Sequence, residues 1–143
     1  MQPEEISKEM WDCWRDASVS YSAFARKMGV DVSELYVVDV LWDTDEGLTQ
    51  KSICEQCDMG KQTVSAVCKR LVAGGFVVAH PSATDKRERI MLLTDGGRDR
   101  WRSSVERMRE IEAMAAEAIP AKDADAFLRA IKRYVDVLQR EMR

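Results

Sequence analysis

Residues 48–97, LTQKSICEQCDMGKQTVSAVCKRLVAGGFVVAHPSATDKRERIMLLTDGG, carry the pattern that decides the fold of this chain. Apolar residues three or four positions apart predict two short helices with a tight turn between them. Two β-prone runs follow, and the polar stretch between them predicts a hairpin with a charged tip. Two such helices followed by a hairpin have the order of a winged helix-turn-helix. The predicted elements are a helix capped by Thr49, a turn at 58–60, a helix from Lys61 to about Ala73, a stop at Gly74–Gly75, and strands at 76–79 and 89–93.

A long helix and a shorter one are predicted before this stretch. The apolar residues within 6–28 form one stripe at helical spacing, which predicts a helix of about six turns that ends at Gly29. Ser33 is a good N-cap and predicts the start of a second helix, whose apolar residues continue to Trp42. Residues 44–47 then form a turn that leads into the central stretch.

Two long amphipathic helices are predicted after it. Thr94 caps the first of them, and Pro120 ends it because proline has no N–H to donate within a helix. The last helix has Asp123 and Asp125 in its first turn, where the helix dipole favours negative charge. The predicted fold class is therefore mainly α with a small β-hairpin wing. The apolar stripes are Trp101, Val105, Met108, Ile111, Ala115 and Ile119 in the first helix, and Phe127, Ile131, Tyr134, Leu138 and Met142 in the second.

Charge is unevenly distributed along the chain. The net charge is −3, yet no acidic residue occurs between Met59 and Thr84. Nine Lys or Arg residues and only four Asp or Glu residues lie between Lys61 and Arg102. A basic middle on an acidic body is typical of a surface that binds a polyanion. A solvated charged face is the alternative interpretation.

One face of the predicted helix 61–73 has the composition of a DNA reader. Major-groove reading needs small and hydrogen-bonding side chains, with cations nearby for the phosphates. Gln62 suits adenine, Ala66 suits a thymine methyl group, and Ser65 suits a base or a phosphate. A solvated face that happens to lack acids is the alternative. The polar face comprises Lys61, Gln62, Thr63, Ser65, Ala66 and Lys69, with Lys69 and Arg70 as the better phosphate candidates, and Val64, Val67, Leu71 and Val72 are predicted to face the core.

The hairpin tip is the second candidate for nucleic-acid contact. Lys86 and Arg87 lie between the two predicted strands, where an arginine can reach a minor groove. Asp85 is predicted to orient the Arg87 guanidinium through charge-assisted hydrogen bonds. A charged turn that discourages edge-to-edge aggregation is the alternative.

Taken together, these segments resemble the MarR family of bacterial and archaeal regulators. The most specific part is Asp85-Lys86-Arg87 followed by Leu93-Thr94-Asp95-Gly96-Gly97, and the order and spacing match from Leu48 onward. The resemblance implies an obligate homodimer with interlocking N- and C-terminal helices. It also implies a pseudo-palindromic duplex operator, with two recognition helices in major grooves and Arg87 of each wing in a minor groove. Gly60 stands where many relatives have a serine N-cap, and glycine is acceptable there.

The resemblance also divides the chain. One domain of residues 1–143 is expected to contain a winged helix-turn-helix lobe at about 33–97 and dimerisation helices at about 5–29 and 98–143. A transcription regulator is the implied function, and repression is favoured because an occupied promoter blocks polymerase. A winged-helix protein-interaction module without specific DNA binding is the alternative. Such a module needs neither an acid-free helix face nor an arginine at the hairpin tip.

A small aromatic ligand or an oxidant is the signal that the resemblance implies. Trp11, Trp14, Tyr36 and Trp42 are candidates for an aromatic ligand cleft, with core or dimer contacts as the alternative. Cys13, Cys54 and Cys57 are candidates for redox sensing, although Cys54 and Cys57 are predicted to pack inward as small apolar groups. Adding Cys68 and His80 gives four zinc ligands by count, but their spacing matches no common zinc module. We therefore predict no metal and no cofactor.

Several classes of protein are disfavoured by the composition. No stretch reaches the roughly 18 apolar residues of a membrane span, and the acidic N-terminus has no secretory signal pattern. The expected location is the cytoplasm, with reduced thiols. An enzyme is disfavoured because the chain has one histidine, no glycine-rich phosphate loop and no nucleophile elbow.

Overall fold

Six helices and three short strands make up the chain in a computed structural model that describes residues 1–143. The predicted class, mainly α with a small wing, is confirmed. The chain divides into two compact units, residues 1–106 and residues 107–143. The elements are α1 (Pro3–Met28), α2 (Val32–Trp42), β1 (Leu48–Thr49), α3 (Gln50–Cys57), α4 (Lys61–Ala73), β2 (Val77–Pro81), β3 (Arg89–Leu93), α5 (Asp95–Glu117) and α6 (Ala121–Met142).

The ends of α1 and α2 are set by local hydrogen bonds. Gly29 ends α1 in the left-handed conformation, with φ of 71°, as the sequence predicts. The predicted N-cap of α2, Ser33, is wrong. Asp31 caps this helix instead, because its carboxylate accepts a 3.0 Å hydrogen bond from the backbone N–H of Glu34. Ser33 lies inside the first turn, since the helix already begins at Val32.

The sheet has three strands rather than the two of the predicted hairpin. Leu48 pairs with Met91 and Thr49 with Ile90, so that the strand order is β1-β3-β2. A two-residue strand has no detectable periodicity, and the sequence therefore does not reveal it. Gly47, with φ of 81°, brings the chain against the Met91 backbone immediately before β1. Thr49 nevertheless caps α3 as predicted, because its hydroxyl accepts from the Ser52 N–H at 3.1 Å.

The core of residues 1–106 is centred on α2. Four of its side chains, Leu35, Val37, Val38 and Leu41, are fully buried, which explains why this helix has an almost continuous apolar sequence. Helices α3, α4 and α1 and strand β3 contact α2 from different sides. Further buried side chains come from α3 (Ile53), α4 (Val64, Val67, Cys68, Leu71), the sheet (Val77, Met91, Leu93) and α5 (Trp101, Val105).

The prediction that Val72 of α4 faces the core is wrong. Val72 is 41% exposed, and Cys68 is buried in its place. The buried positions 64, 67, 68 and 71 form one stripe at helical spacing. Position 72 lies beside this stripe, toward the exposed face of the helix.

The two long C-terminal helices keep much of their apolar surface exposed. The predicted α5 stripe is buried through Met108, but Ile111 is exposed. Helix α6 follows Pro120 and contains no fully buried residue. Its predicted stripe includes Phe127, which is 44% exposed. An amphipathic helix of this kind has an apolar face that the single chain leaves uncovered.

Candidate nucleic-acid interface

Helix α4 presents its polar face to solvent because its apolar face is held by two neighbours. Val64, Val67 and Leu71 are buried, and α4 contacts both α2 and α3. Gly60 precedes the helix and provides no capping side chain, so that the first N–H groups of α4 have no side-chain acceptor. The structure brings the predicted reader residues together on the other face: Lys61, Gln62, Thr63, Ala66 and Lys69 are exposed, and Ser65 is half-buried.

Arg70 lies at the C-terminal half of α4 and is already paired within the chain. Its Nε donates to Glu34 Oε1 at 2.8 Å, and a terminal guanidinium nitrogen lies 3.8 Å from Asp31 Oδ1. The hydrogen bond to Glu34 raises the pKa of Arg70 above its usual value. Arg70 therefore links the reader helix to the first turn of α2. The phosphate contact predicted for this residue stays a prediction, and it requires the pair to open.

The wing tip is shaped by hydrogen bonds of its own backbone, some of them to side chains. The Ser82 N–H donates to the Glu88 carbonyl at 3.0 Å, which closes the loop between β2 and β3. Asp85 Oδ1 accepts from the backbone N–H of Arg87 at 2.9 Å. The predicted contact of Asp85 with the Arg87 guanidinium is therefore replaced by a turn-forming contact with the backbone. The side chains of Lys86 and Arg87 are exposed at the tip.

A concave pocket of about 320 Å³ lies where α3, α4 and the wing meet. Sequence reasoning found two of its cations, Lys61 and Arg87, and missed Lys51 and Arg89. Lys51 lies at the start of α3 and Arg89 at the start of β3. These two elements come together because β1 pairs with β3, and the sequence does not reveal β1. The pocket is lined by Thr49, Gln50, Lys51, Lys61, Arg87, Glu88 and Arg89.

Comparison with known families identifies this arrangement. Residues 28–88, from the end of α1 to the wing tip, match the model of the MarR family. This region is similar to the MarR family and has the winged helix-turn-helix fold of its solved members. MarR-family members are transcription regulators rather than enzymes, and the chain has the fold of such a DNA-binding regulator.

Solved structures of MarR-family regulators share the fold over nearly the whole chain. A MarR family transcriptional regulator from Silicibacter pomeroyi is 25% identical over 90% of this chain and 91% of its own, with a TM-score of 0.72. S. aureus MepR in its DNA-binding conformation is 15% identical, with a TM-score of 0.79 over 93% of this chain and 98% of its own. The S. aureus MepR–DNA complex gives a TM-score of 0.76 at 15% identity, over 93% and 97% of the two chains. Among curated proteins no significant match is found. None of the six helices has the length and hydropathy needed to cross a membrane.

The four cysteines of the chain have different environments. Cys13 is exposed on α1, Cys54 and Cys57 are half-buried on α3, and Cys68 is buried in α4. The Cys57 thiol donates to the Tyr36 carbonyl at 3.5 Å. The inward packing predicted for Cys54 and Cys57 is thus only partial. No three His, Cys, Asp or Glu side chains of the chain converge on a site for a metal ion, and His80 is exposed on β2.

Burial makes two of these thiols hard to ionise. Desolvation raises the pKa of Cys57 to about 11 and that of Cys68 to about 11, from an ordinary value of 9.0. A thiol held protonated at neutral pH is a poor nucleophile and reacts slowly with oxidants. The redox prediction for Cys57 is therefore disfavoured, while those for Cys13 and Cys54 stay predictions.

We expect alkaline pH to destabilise the protein through these two thiols. Below pH 9 the folded and unfolded states both keep the proton, but between pH 9 and 11 the unfolded state releases it first. The free energy of unfolding therefore falls across this window. Urea unfolding at pH 8 to 11 measures this fall. Cys68→Val is the comparison variant, because it removes one of the two thiols and is therefore expected to show a smaller fall. A pH profile identical in both proteins would contradict the assignment for Cys68.

Two of the four predicted cleft residues, Tyr36 and Trp42, lie against different side chains. Tyr36 lies against Tyr21 of α1, with ring centroids 6.0 Å apart and planes at 61°. Trp42 lies near the start of α5, and the guanidiniums of Arg98 and Arg102 lie 5.2 Å and 5.8 Å from its ring centroid. Trp11 on α1 is 64% exposed. The fourth residue, Trp14, is also exposed on α1, so the cleft predicted from these rings stays a prediction.

Proposed function

We propose that this protein is a homodimeric repressor that binds a pseudo-palindromic operator duplex. Helix α4 of each protomer lies in a major groove, and the wing tip lies in the neighbouring minor groove. A small aromatic ligand or an oxidant changes the separation of the two α4 helices and releases the DNA. The protein acts in the cytoplasm, where its operator is.

The acid-free exposed face of α4 is the observation that carries this proposal. The small side chain of Ala66 lets the helix approach base edges closely, and Gln62, one turn earlier, offers both a donor and an acceptor. Lys69 extends the same face toward the phosphates. No acidic residue of α4 repels the DNA backbone. The opposite, apolar face fixes the orientation of the helix, because it is buried against α2 and α3.

The wing supports the proposal from a second direction. Its loop is closed by backbone hydrogen bonds, so that Lys86 and Arg87 project from an ordered turn. A cation at such a tip is attracted by the negative potential of a narrow minor groove. A winged helix that binds only protein needs no such cation.

Exposed apolar side chains support the homodimer. On α1, Trp11 is 64% exposed and Val19 is 59% exposed, and on α6 Leu128 and Val137 are each about half exposed. Apolar surface at this density on two long helices is typical of an interface between subunits. These are the helices that interlock in the proposed dimer.

Two sets of residues support a signal-responsive regulator. Tyr36 and Trp42 offer flat apolar surfaces on α2, and Arg98 beside Trp42 offers a cation for an anionic aromatic compound. Cys13 is exposed on α1 and accessible to an oxidant. Both sets lie within residues 1–106, the unit that also contains α4.

Fluorescence anisotropy tests the proposal, with the DNA upstream of the protein's own gene as probe. We expect tight binding that weakens steeply with salt and that prefers this duplex to a scrambled one. Arg87→Ala is expected to weaken binding several-fold, because it removes a minor-groove cation. The matched control is Arg133→Ala on the polar face of α6. Equal, weak and salt-insensitive binding to both duplexes would favour the protein-interaction module instead.

A further inference from the structure

We infer that the pocket between α3, α4 and the wing is a phosphate site, which one backbone phosphate occupies when the protein binds DNA. We call it the phosphate pocket and define it by Thr49, Gln50, Lys51, Lys61, Arg87, Glu88 and Arg89. The DNA as the source of the phosphate rests on the proposed function. The pocket's affinity for a phosphate group rests on its own charges and shape.

Four cations and one carboxylate surround this pocket of about 320 Å³. None of the cations Lys51, Lys61, Arg87 and Arg89 forms an ion pair within 4.0 Å, although Glu88 lines the same pocket. Arg70, by contrast, is paired with two carboxylates. Unpaired like charges around one concavity repel one another, and a bound anion removes this repulsion.

The backbone adds donors to the cations. Lys61 is the first residue of α4, and Gly60 before it has no side chain to cap the helix. The first N–H groups of this 13-residue helix, and the positive end of its dipole, are therefore available to an anion. On the other side, the pocket is lined by Thr49 and Gln50, at the start of α3. A phosphate oxygen thus meets both charged side chains and helix-terminal donors.

The phosphate pocket is lined both by the start of α4, the proposed major-groove helix, and by the wing, the proposed minor-groove element. Pairing of Thr49 with Ile90 places the start of α3 beside Arg89, the first residue of β3 after the wing tip. Lys61 begins the reader helix, and Arg87 is at the wing tip. One phosphate held among them fixes the distance between reader helix and wing on the duplex. Such contacts set register and contribute equally to every sequence.

A free phosphate compound in solution offers the same chemistry as a DNA phosphate. Two experimental arms distinguish these sources, one with DNA and one with pyrophosphate. Both use the Lys51→Gln/Arg89→Gln double variant, which removes two cations without adding an acid. The matched control is Lys122→Gln/Arg133→Gln, with the same charge change on the polar face of α6, where both residues are exposed.

The first arm measures DNA affinity by anisotropy over a salt series. We expect the pocket variant to bind about tenfold or more weakly than the control, on operator and scrambled duplex alike. Its slope of log affinity against log salt is expected to be smaller by about one for each lost contact. Glu88→Gln is expected to shift affinity in the opposite direction, several-fold tighter. Wild-type binding that is salt-sensitive, together with a pocket variant equal to the control, would overturn the DNA phosphate while leaving the proposed function intact.

The second arm records amide NMR spectra with pyrophosphate or with sodium chloride at equal ionic strength. We expect pyrophosphate to shift the amides of residues 49–51, 61–63 and 87–89 in the wild type and in the control, and not in the pocket variant. If the wild type binds no DNA, only the pyrophosphate shifts test whether the pocket binds a phosphate group. Their presence then assigns the pocket to a free phosphate compound, and their absence overturns the site.

Discussion

Ala66→Glu is expected to lower affinity for operator DNA by at least about 100-fold without lowering stability. Ala66 is exposed on α4, one turn after Gln62 and beside Lys69 on the reader face. A carboxylate at this position meets phosphates and base-edge acceptors, and juxtaposed like charges cost several kcal/mol. Since about 1.4 kcal/mol corresponds to a tenfold change, the loss reaches two orders of magnitude. Anisotropy gives the affinity, and a thermal melt shows that the fold is intact.

Two controls separate charge from size and position. Ala66→Gln has nearly the shape of glutamate without its charge, and it is expected to lose much less affinity. Ala113→Glu makes the same charge change at an exposed position of α5. If Ala66→Glu and Ala113→Glu bound DNA equally well, α4 would not be the reader helix. Glutamate and alanine are both good helix formers, so neither change is expected to melt its helix.

Gly97→Ala is expected to destabilise the fold by about 3 kcal/mol. Gly97 is buried in the first turn of α5, and a Cβ added there would overlap the Phe76 carbonyl oxygen and lie 2.9 Å from the carbonyl carbon. The contact is with backbone, so no side-chain rotation can relieve it. Thr94 holds the two segments together, because its hydroxyl donates to the Gly75 carbonyl at 2.7 Å and its N–H donates to the Phe76 carbonyl at 3.0 Å. For a chain of this size, a melting temperature lower by about 10 °C is the expected readout.

The neighbouring glycine is the matched control for this prediction. A Cβ at Gly96 would have its nearest atoms at 3.7 Å and 3.9 Å, which is ordinary contact. Gly96→Ala is therefore expected to be neutral or slightly stabilising, since alanine is the better helix former. Equal melting temperatures for Gly97→Ala and Gly96→Ala would show that α5 is not packed tightly against Phe76.

Local patterns in the sequence predicted most of the fold. Helix α4 begins at Lys61 and ends at Ala73 as expected, because a glycine on each side limits it and its apolar spacing is regular. The end of α1 at Gly29 and the capping of α3 by Thr49 have the same local origin. Strand β1 was missed because its two residues gain their conformation from pairing with β3, which is distant in sequence.

The candidate site was predictable only where one element carries it. The face of α4 follows from periodicity alone, and the structure confirms that its predicted residues share one face, although their contact with DNA stays a prediction. Lys51 and Arg89 were missed because they become neighbours of Lys61 only through tertiary structure. The charge of Arg70 alone predicts a contact with a DNA phosphate. Its ion pair with Glu34 is not predictable from the sequence, because it depends on the packing of α4 against α2. The sequence predicts that Asp85 binds the Arg87 guanidinium, whereas its carboxylate accepts from the Arg87 backbone N–H.

The two faces of α4 have different tolerances for inherited change. Gln62, Ala66 and Lys69 have no role in the core, whereas Val64 and Val67 on the opposite face are almost completely buried. Under the proposed function, substitutions at the first three positions therefore act on DNA affinity nearly independently of folding. After gene duplication, one copy of the proposed dimeric regulator can then acquire a new operator through a few changes on this face while keeping its fold and its dimer partner. The same separation allows a mixed dimer to recognise an operator with two unlike halves.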